Sequence, residues 1–154
     1  MKGMISVLIE TKNDEERLAK TLASLVTGAV EGLVREVIVC DLGSSDGTET
    51  VAEHAGCVFL AETRGEDALA KARSDWVLLL KPGARLVPGW VEAAREHVAV
   101  ANGPATFSRS RQTELPFWSN WLTRRERIAE GLLMRKSVPT RGRPLRLRAE
   151  IHAV

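Results

Sequence analysis

Residues 36–48 constrain the fold most, because they predict a buried strand, a tight turn and a helix in immediate succession. The segment begins with apolar, mostly β-branched residues, which are typical of a strand buried on both faces of a parallel sheet. Asp41 ends this run, small residues follow, and Asp46 is expected to cap a helix with Glu49 three residues on. Open α/β sheets bind ligands beyond the carboxyl ends of their strands, so Asp41 is predicted to lie at a binding edge. The alternative is a plain strand–turn–helix connection in which the Asp41 carboxylate bonds nearby turn amides.

The same succession of strand and helix recurs along the first two-thirds of the chain. Apolar runs predict strands at residues 4–10, 35–41, 58–60 and 76–80. Helical apolar spacing follows each run, and Asn13 is expected to cap the first helix with Glu16 completing a capping box. Strand–helix units in this order predict an α/β fold with a mostly parallel sheet and right-handed crossovers.

The periodicity is weaker after residue 102. Residues 105–109 and 131–134 are predicted strands, and residues 115–122 have the apolar spacing of a helix. Residues 138–154 have the Pro, Gly and Arg content of an irregular, basic tail. A chain of 154 residues fits one domain. We therefore expect a single domain over residues 1–137 with a C-terminal tail after it.

Positive charge is concentrated in the last third of the chain. The net charge is only +2, but acidic residues crowd the first two-thirds whereas arginines predominate after residue 108. This skew indicates an anionic partner such as phosphate, a lipid head group or nucleic acid, and the alternative is a solvated tail. Residues 115–127 carry Trp118 and Trp121 beside three arginines, a pattern suited to an anionic membrane surface. Packing of both indoles onto the sheet is the competing interpretation, and no specific nucleic-acid partner is expected.

The cysteines and the apolar runs bear on the cellular compartment. The sequence shows no basic-then-apolar export signal, and no apolar run approaches the ~20 residues of a membrane span. Cys40 and Cys57 are predicted near opposite ends of neighbouring parallel strands, which is too far for a disulfide, and are interpreted as small core residues of a reduced protein. We therefore expect a cytoplasmic protein, with peripheral attachment at the inner membrane face as the alternative that residues 115–127 would provide.

Two stretches of the sequence together resemble family-2 glycosyltransferases of the GT-A fold. Residues 5–16 are similar to the strand, Pro-Thr-Tyr-Asn-Glu turn and helix with which those enzymes open. Residues 36–48 are similar to their later Val-Asp-Asp-Gly-Ser-Ser-Asp-Gly-Thr motif, which is fairly specific. The resemblance implies an α/β/α sandwich of the nucleotide-diphospho-sugar transferase type, with a well-matched nucleotide-binding half over residues 1–101 and an abbreviated acceptor half over residues 102–137.

Both matches contain departures from the family pattern. The first keeps Thr11 and Asn13 but has Glu10 in place of Pro and Lys12 in place of Tyr. The second has Leu42 where the family usually carries its second Asp.

The resemblance also implies nucleotide-binding residues. In the family, the Asp at position 41 contacts the base of a nucleoside diphosphate sugar, and the turn from Thr11 to Asn13 embraces the nucleoside. A carboxylate suits the first role because it accepts hydrogen bonds from the imide or amino edge of a base. Arg64 falls where a family Arg or Asn approaches the nucleotide.

The family's metal-binding motif is missing. Family members carry Asp-x-Asp or a close variant after the fourth strand, which holds Mg²⁺ or Mn²⁺ against the diphosphate with oxygen ligands. Residues 81–85 of this chain are Lys-Pro-Gly-Ala-Arg, so no protein metal ligand is expected there. Either Lys81 and Arg85 give the diphosphate fixed positive charge, or the domain is a catalytically inactive nucleotide-binding or scaffolding module. A membrane-surface adaptor is the third interpretation.

The catalytic base is the least defined part of the prediction. In the family, a Glu-Asp pair follows a Gly-rich stretch in the second half, and its Asp deprotonates the acceptor hydroxyl. Residues 143–150 resemble a degenerate version that leaves Glu150 as the acid, and the alternative is a surface ion-pair partner. The histidines show no metal-ligand spacing, and Ser44 and Ser45 have no evident base partner, which disfavours a hydrolase. The leading prediction is transfer of a sugar from a nucleotide-activated donor to an unknown acceptor.

Overall fold

The computed structural model of the chain describes residues 4–101, 103–109, 131–136 and 145–152. The strands are β1 (Ile5–Thr11), β2 (Val34–Asp41), β3 (Val58–Ala61), β4 (Trp76–Leu80), β5 (Arg85–Leu86), β6 (Ala105–Arg109), β7 (Leu132–Arg135) and β8 (Leu145–His152). The helices are α1 (Glu15–Val30), α2 (Thr48–His54), α3 (Gly65–Lys71) and α4 (Trp90–Val100). Strand and helix alternate through the first part of the chain, as the sequence predicted.

Within the described part of the chain, the strands form one eight-stranded sheet in the order β3-β2-β1-β4-β7-β6-β8-β5. β1 pairs in parallel with both β2 and β4, and β2 pairs in parallel with β3. Antiparallel pairing begins at β7, which lies between β4 and β6, while β8 is parallel to β6 and antiparallel to β5. The prediction of an α/β fold with a mostly parallel sheet is confirmed, and the sheet consists of a parallel half and a mixed half.

Alternate positions along the strands build an apolar core on each face of the sheet. On one face, Ile5, Val7 and Ile9 of β1 pack with residues of α1, α2 and α4. On the other face, Leu8 of β1 packs with Ala68 of α3. β1 and β4 are buried on both faces, which explains why their sequences are nearly continuous apolar runs. Helices on both faces make the predicted α/β/α sandwich.

α1 approaches α4 closely at Gly28, where no side chain separates α1 from the indole of Trp90. A Cβ added at Gly28 would lie 2.4 Å from Cη2 of Trp90 and 2.9 Å from Cγ2 of Val34. Trp90 is only 1% exposed, so its ring has no open space into which it could move. The contact between α1 and α4 therefore depends on a glycine.

Gly28→Ala is expected to lower the free energy of unfolding by about 1–2 kcal/mol. Overpacking a core costs roughly 1–3 kcal/mol, and the preference of a helix for alanine over glycine returns at most about 1 kcal/mol. Urea unfolding followed by circular dichroism measures the difference. Thr27→Ala, at the exposed neighbouring position, is the matched control. A Gly28→Ala variant as stable as the original chain would show that Trp90 repacks without cost.

The C-terminal segment differs from the sequence expectation. Residues 145–152 were expected within an irregular tail, but they form β8 and lie between β6 and β5. Leu147 is 7% exposed and Ile151 is fully buried. An alternating apolar pattern therefore brings this segment into the sheet, although Arg, Pro and Gly around it suggest irregular structure.

The other segments after residue 102 agree with the sequence where the structure describes them. β6 and β7 lie within one residue of the strands predicted at 105–109 and 131–134. Residues 115–127, with the tryptophans and arginines of the predicted membrane-facing segment, lie outside the described residues. In the part of the chain that the structure describes, no helix is long and apolar enough to cross a membrane.

Both cysteines are free, as predicted. Burial, with a smaller contribution from the nearby Glu10 carboxylate, raises the pKa of the Cys40 thiol to about 12. Burial raises the pKa of the Cys57 thiol to about 11. Both thiols therefore remain protonated at neutral pH and pack as small apolar side chains.

Candidate functional site

The parallel half of the sheet brings the predicted binding residues to one edge. Thr11 ends β1 and pairs with Asp41 at the end of β2, and Asp41 in turn pairs with Ala61 at the end of β3. Leu80 ends β4, which pairs with β1 on its other side, so Lys81 leaves the sheet at the same edge. Because β1 to β4 run in one direction, the connections that follow them form a common surface where α/β sheets bind ligands.

The carboxylate of Asp41 is turned into the connection that follows β2. Asp41 is 5% exposed. Its Oδ2 accepts hydrogen bonds from the N–H of Ser44 at 2.8 Å and of Gly43 at 3.2 Å, and its Oδ1 accepts the hydroxyl hydrogen of Ser44. Both carboxylate oxygens are thus engaged by turn amides and a hydroxyl, as in the strand–turn–helix alternative. The next residue, Leu42, is 42% exposed and presents an apolar side chain.

Asn13 joins the connection after β1 to the connection after β2. Its N–H donates to Oγ of Ser44 at 2.8 Å, and its side-chain Oδ1 accepts from the N–H of Ser45 at 2.8 Å. The prediction that Asn13 caps α1 in a capping box with Glu16 is wrong, because Asp14 takes the N-cap position and no side-chain cap bond forms. Asn13 instead has a left-handed backbone with φ of 52°, which a short polar residue tolerates.

A second set of hydrogen bonds fixes the starts of α1 and α2 together. The N–H of Glu15 donates to Oδ2 of Asp46 at 3.3 Å, and the N–H of Gly47 donates to Oε2 of Glu15 at 3.2 Å. Asp46 also accepts the N–H of Thr48 at 3.0 Å, although Gly47 takes the N-cap position. The hydrogen bond that the hydroxyl of Thr48 donates to the Asp46 carboxylate is the largest of the effects that lower the pKa of Asp46. A Cβ at Gly47 would lie 2.5 Å from Oε1 of Glu15, so a larger residue there would displace the Glu15 carboxylate from this contact.

Thr11 also contributes its polar groups to the two connections. It is 2% exposed, and its Oγ1 donates to Oδ2 of Asp14 at 3.2 Å. Its carbonyl accepts the N–H of Leu42 at 3.0 Å. The predicted nucleotide-binding residues Thr11, Asn13 and Asp41 therefore hold the connections after β1 and β2 together as one hydrogen-bonded unit, here called the double turn (residues 11–15 and 41–48).

Three cationic side chains lie at or next to this edge. Lys81 is half-buried, whereas Arg64, directly before α3, and Arg85, the first residue of β5, are exposed. Among the described residues, no carboxylate lies within ion-pair distance of these cations. The turn that carries Lys81 is held against α1, because the N–H of Gly83 donates to Oγ1 of Thr21 at 2.9 Å. The edge therefore offers positive charge on an ordered turn.

Glu10 lies at this edge as well, although the sequence predicted no binding role for it. It is exposed, and it pairs with Cys40 across the register of β1 and β2. Its Oε2 accepts the N–H of Gly65, the first residue of α3, at 2.8 Å. A Cβ at Gly65 would lie 3.2 Å from that oxygen, so the approach favours glycine. In the sequence, Glu10 is distinguished as a carboxylate inside an apolar strand, at the position where family-2 glycosyltransferases have Pro.

The described residues place the backbone of Glu150 near the carboxyl end of β8, which runs in the same direction as β4 and therefore ends at the same edge. Glu150 lies in β8 opposite Ser108 of β6, and β4, β7 and β6 separate β8 from β1. The sheet curves so that Ile151, the residue after Glu150, approaches Leu80 at the end of β4, since a Cβ at Gly131 would lie 3.2 Å from both Cδ1 of Ile151 and Cδ2 of Leu80. Within residues 4–101 and the three later described segments, no group of three His, Cys, Asp or Glu side chains is arranged to hold a metal ion.

Comparison with known protein sequences gives a family match and a relative. The sequence profile of glycosyl transferase family 2 matches residues 6–131. A TPR repeat-containing protein of Synechococcus elongatus is 32% identical over 98 residues, which cover 58% of this chain and 23% of that protein.

Solved structures show the same fold. Glucosyl-3-phosphoglycerate synthase from Mycobacterium tuberculosis has a TM-score of 0.63 at 21% identity, over 86% of this chain and 57% of that one. The same enzyme in complex with UDP has a TM-score of 0.56 at 26% identity, over 71% and 46%. It has also been solved in complex with Mn²⁺ and UDP-glucose. Mannosyl-3-phosphoglycerate synthase from Rubrobacter xylanophilus has a TM-score of 0.60 at 17% identity, over 86% and 53%. The chain spans about half the length of these solved relatives.

Proposed function

The chain belongs to glycosyl transferase family 2, and on that premise we propose that the carboxyl edge of its parallel strands binds a nucleoside diphosphate sugar and transfers the sugar to an acceptor. The observation that carries the proposal is the double turn, which lies where open α/β sheets bind ligands. Thr11, Asn13 and Asp41 form this platform for the nucleoside, and Arg64 and Lys81 provide positive charge for the diphosphate. The solved relative in complex with UDP and UDP-glucose supports this class of donor.

The residues at the end of β4 do not fit a Mg²⁺ or Mn²⁺ site. Residues 81–85 offer no side-chain oxygen, whereas hard cations are held by oxygen ligands. The ammonium of Lys81 would instead oppose a phosphate as a point charge, which needs no bidentate geometry. Arg85 would add a second cation from the same turn. In this proposal, fixed side-chain charge stabilises the leaving diphosphate.

Nucleotide binding is expected to be insensitive to EDTA and to weaken steeply with salt, because side-chain cations carry the electrostatic attraction. Lys81→Ala is expected to weaken the binding of UDP or GDP about tenfold or more, the effect of losing a charged hydrogen bond. Calorimetric titration with and without Mn²⁺ measures both effects.

The matched control is Lys71→Ala, which removes the same charge at the C-terminal end of α3, away from the edge. This variant should leave the nucleotide affinity unchanged. An affinity that rises many-fold with Mn²⁺ would contradict the replacement of the metal by Lys81. Absence of binding to any nucleotide would contradict the proposed function itself.

A second candidate function is a nucleotide-binding module without turnover. It is favoured by residues 81–85, which contain no carboxylate at the position where the family holds its metal ion. Release of nucleoside diphosphate from nucleotide sugars distinguishes the two candidates, since a silent module binds the donor without releasing it. If Glu150 is the catalytic base, Glu150→Gln should slow release and leave donor affinity unchanged. The membrane-surface interpretation concerns residues 115–127 and stays a prediction for vesicle-binding measurements.

A further inference from the structure

We propose that Glu10 recognises the nucleoside by accepting a hydrogen bond from an O–H or N–H group of the ligand. The two cations on either side of Glu10 face the phosphates of the same ligand. This inference rests on the proposed function, because it concerns how the same edge selects its nucleotide. Glu10 is not among the residues for which the family resemblance implies a role, since the family has Pro at that position.

The carboxylate expected to read the base has little capacity left for a ligand. A carboxylate offers about four acceptor sites, and Asp41 already accepts hydrogen bonds from Gly43 and from the N–H and hydroxyl of Ser44. Asp41 is also only 5% exposed. The neighbouring Leu42 has no polar group, and the hydroxyl of Thr11 donates to Asp14. Asp41 therefore has about one acceptor site left, and another residue of this edge is better placed to accept hydrogens from a ligand.

Glu10 has an uncommitted acceptor at the right place. Its strand lies between β2 and β4 in the parallel half of the sheet, and its side chain is exposed at the carboxyl end. The bond from the N–H of Gly65 to Oε2 holds the carboxylate in place. Among the described residues, no group donates a hydrogen bond to Oε1 of Glu10. An anchored side chain with one open oxygen loses less conformational entropy when it binds a ligand.

The surrounding charges indicate which ligand fits. Arg64 directly precedes Gly65, so it lies beside the anchored carboxylate. Lys81 follows Leu80, which pairs with Ile9, the residue before Glu10. One acceptor flanked by two cations suits a ligand that carries neutral hydrogen-bond donors next to anionic groups. A nucleoside diphosphate is such a ligand, with donors on its ribose and base and negative charge on its phosphates.

Glu10→Gln tests the proposal through the direction of its effect. The glutamine keeps the shape, and its oxygen can still accept the N–H of Gly65, but its NH₂ group then faces the donors of the ligand. We expect the affinity for UDP to fall about tenfold or more. If Glu10 were only a surface charge, its neutralisation would leave the binding of an anionic diphosphate unchanged or would strengthen it. Glu66→Gln, in the exposed first turn of α3, is the charge-matched control, and its nucleotide binding should be unchanged or stronger.

A panel of ligands separates recognition from a structural role. The original chain and the Glu10→Gln variant are each titrated with UDP, its 2′-deoxy and 3′-deoxy analogues, CDP and GDP. Thermal unfolding is recorded for both proteins. In the original chain, the analogue that lacks the donor met by Glu10 should bind weakly, and Glu10→Gln should abolish that discrimination without lowering the Tm. Equal weakening of every ligand together with a lower Tm would assign Glu10 only to holding α3, and would overturn its recognition role.

The failures of the two proposals can be told apart. If the original chain binds nucleotides and Glu10→Gln binds them equally or more tightly, this inference is wrong and the proposed function stands. If the original chain binds no nucleotide, the proposed function is wrong and the inference falls with it.

Discussion

Trp90→Ala is expected to lower the free energy of unfolding by about 3–5 kcal/mol, the usual cost of removing a large aromatic side chain from a core. Trp90 is 1% exposed, and its ring meets that of Phe107 edge to face with centroids 6.5 Å apart. It also fills the space left by Gly28 and lies next to Val34. The side chain therefore joins α4 to α1, β2 and β6. Since domains of this size are stable by roughly 5–15 kcal/mol, the loss would be a large part of the total.

Chemical denaturation of a short variant series measures this effect and tests its cause. Trp90→Phe should be milder than Trp90→Ala, because a ring remains and the buried indole nitrogen, which has no hydrogen-bond partner among the described residues, is removed. Gly28→Ala combined with Trp90→Phe should cost less than the sum of the single changes, because phenylalanine lacks the Cη2 and Cζ2 atoms that meet the added Cβ. A loss below about 1 kcal/mol for Trp90→Ala, which is ordinary for surface substitutions or mild changes, would contradict the central position of this residue.

Asp41→Ala is expected to lower the free energy of unfolding by about 2–3 kcal/mol and to weaken nucleotide binding by about tenfold or more. The substitution leaves the N–H groups of Gly43 and Ser44 and the Ser44 hydroxyl without their acceptor. Ser44 in turn accepts the N–H of Asn13, so the disturbance reaches the connection after β1. Denaturation and calorimetric titration measure the two effects. Unchanged stability together with unchanged nucleotide affinity would show that the double turn does not depend on this carboxylate.

Asp41→Asn separates shaping of the turn from direct contact with the base. Asparagine retains one oxygen for the two turn amides, and its NH₂ group can donate to the hydroxyl oxygen of Ser44, so the turn should persist. If Asp41 acts by shaping the turn, UDP affinity should stay within about threefold, less than the loss of one neutral hydrogen bond. If its charge reads the base, affinity should fall about tenfold and the preference among bases should disappear. The bonds around the carboxylate favour the first result.

The parallel half of the sheet and the edge of the proposed site were both predictable from the sequence alone. Apolar runs at β1, β2 and β4 are local signals, since a strand buried on both faces needs apolar residues at every position. Small and polar turn residues mark where each of these strands stops. Because parallel strands end at one edge, the position of Asp41 next to Thr11 follows from this pattern. The alternating apolar pattern of Leu147 and Ile151 in β8 was also present in the sequence. It was not interpreted as a strand, because the surrounding Arg, Pro and Gly residues are typical of irregular structure.

The polar atoms that meet at that edge could not be paired from the sequence, because their contacts depend on how the segments assemble. Asn13 and Ser44 are 31 residues apart, and Glu10 and Gly65 are 55 residues apart, yet each pair shares a hydrogen bond. Hydrophobic periodicity reports burial one segment at a time, whereas a hydrogen bond depends on the distance and angle between two segments that only the assembled sheet brings together. For that reason Asn13, which has the residue type of a helix cap, bonds across to the second turn. For the same reason the carboxylate of Asp41 is turned inward, and that of Glu10 is held open at the edge.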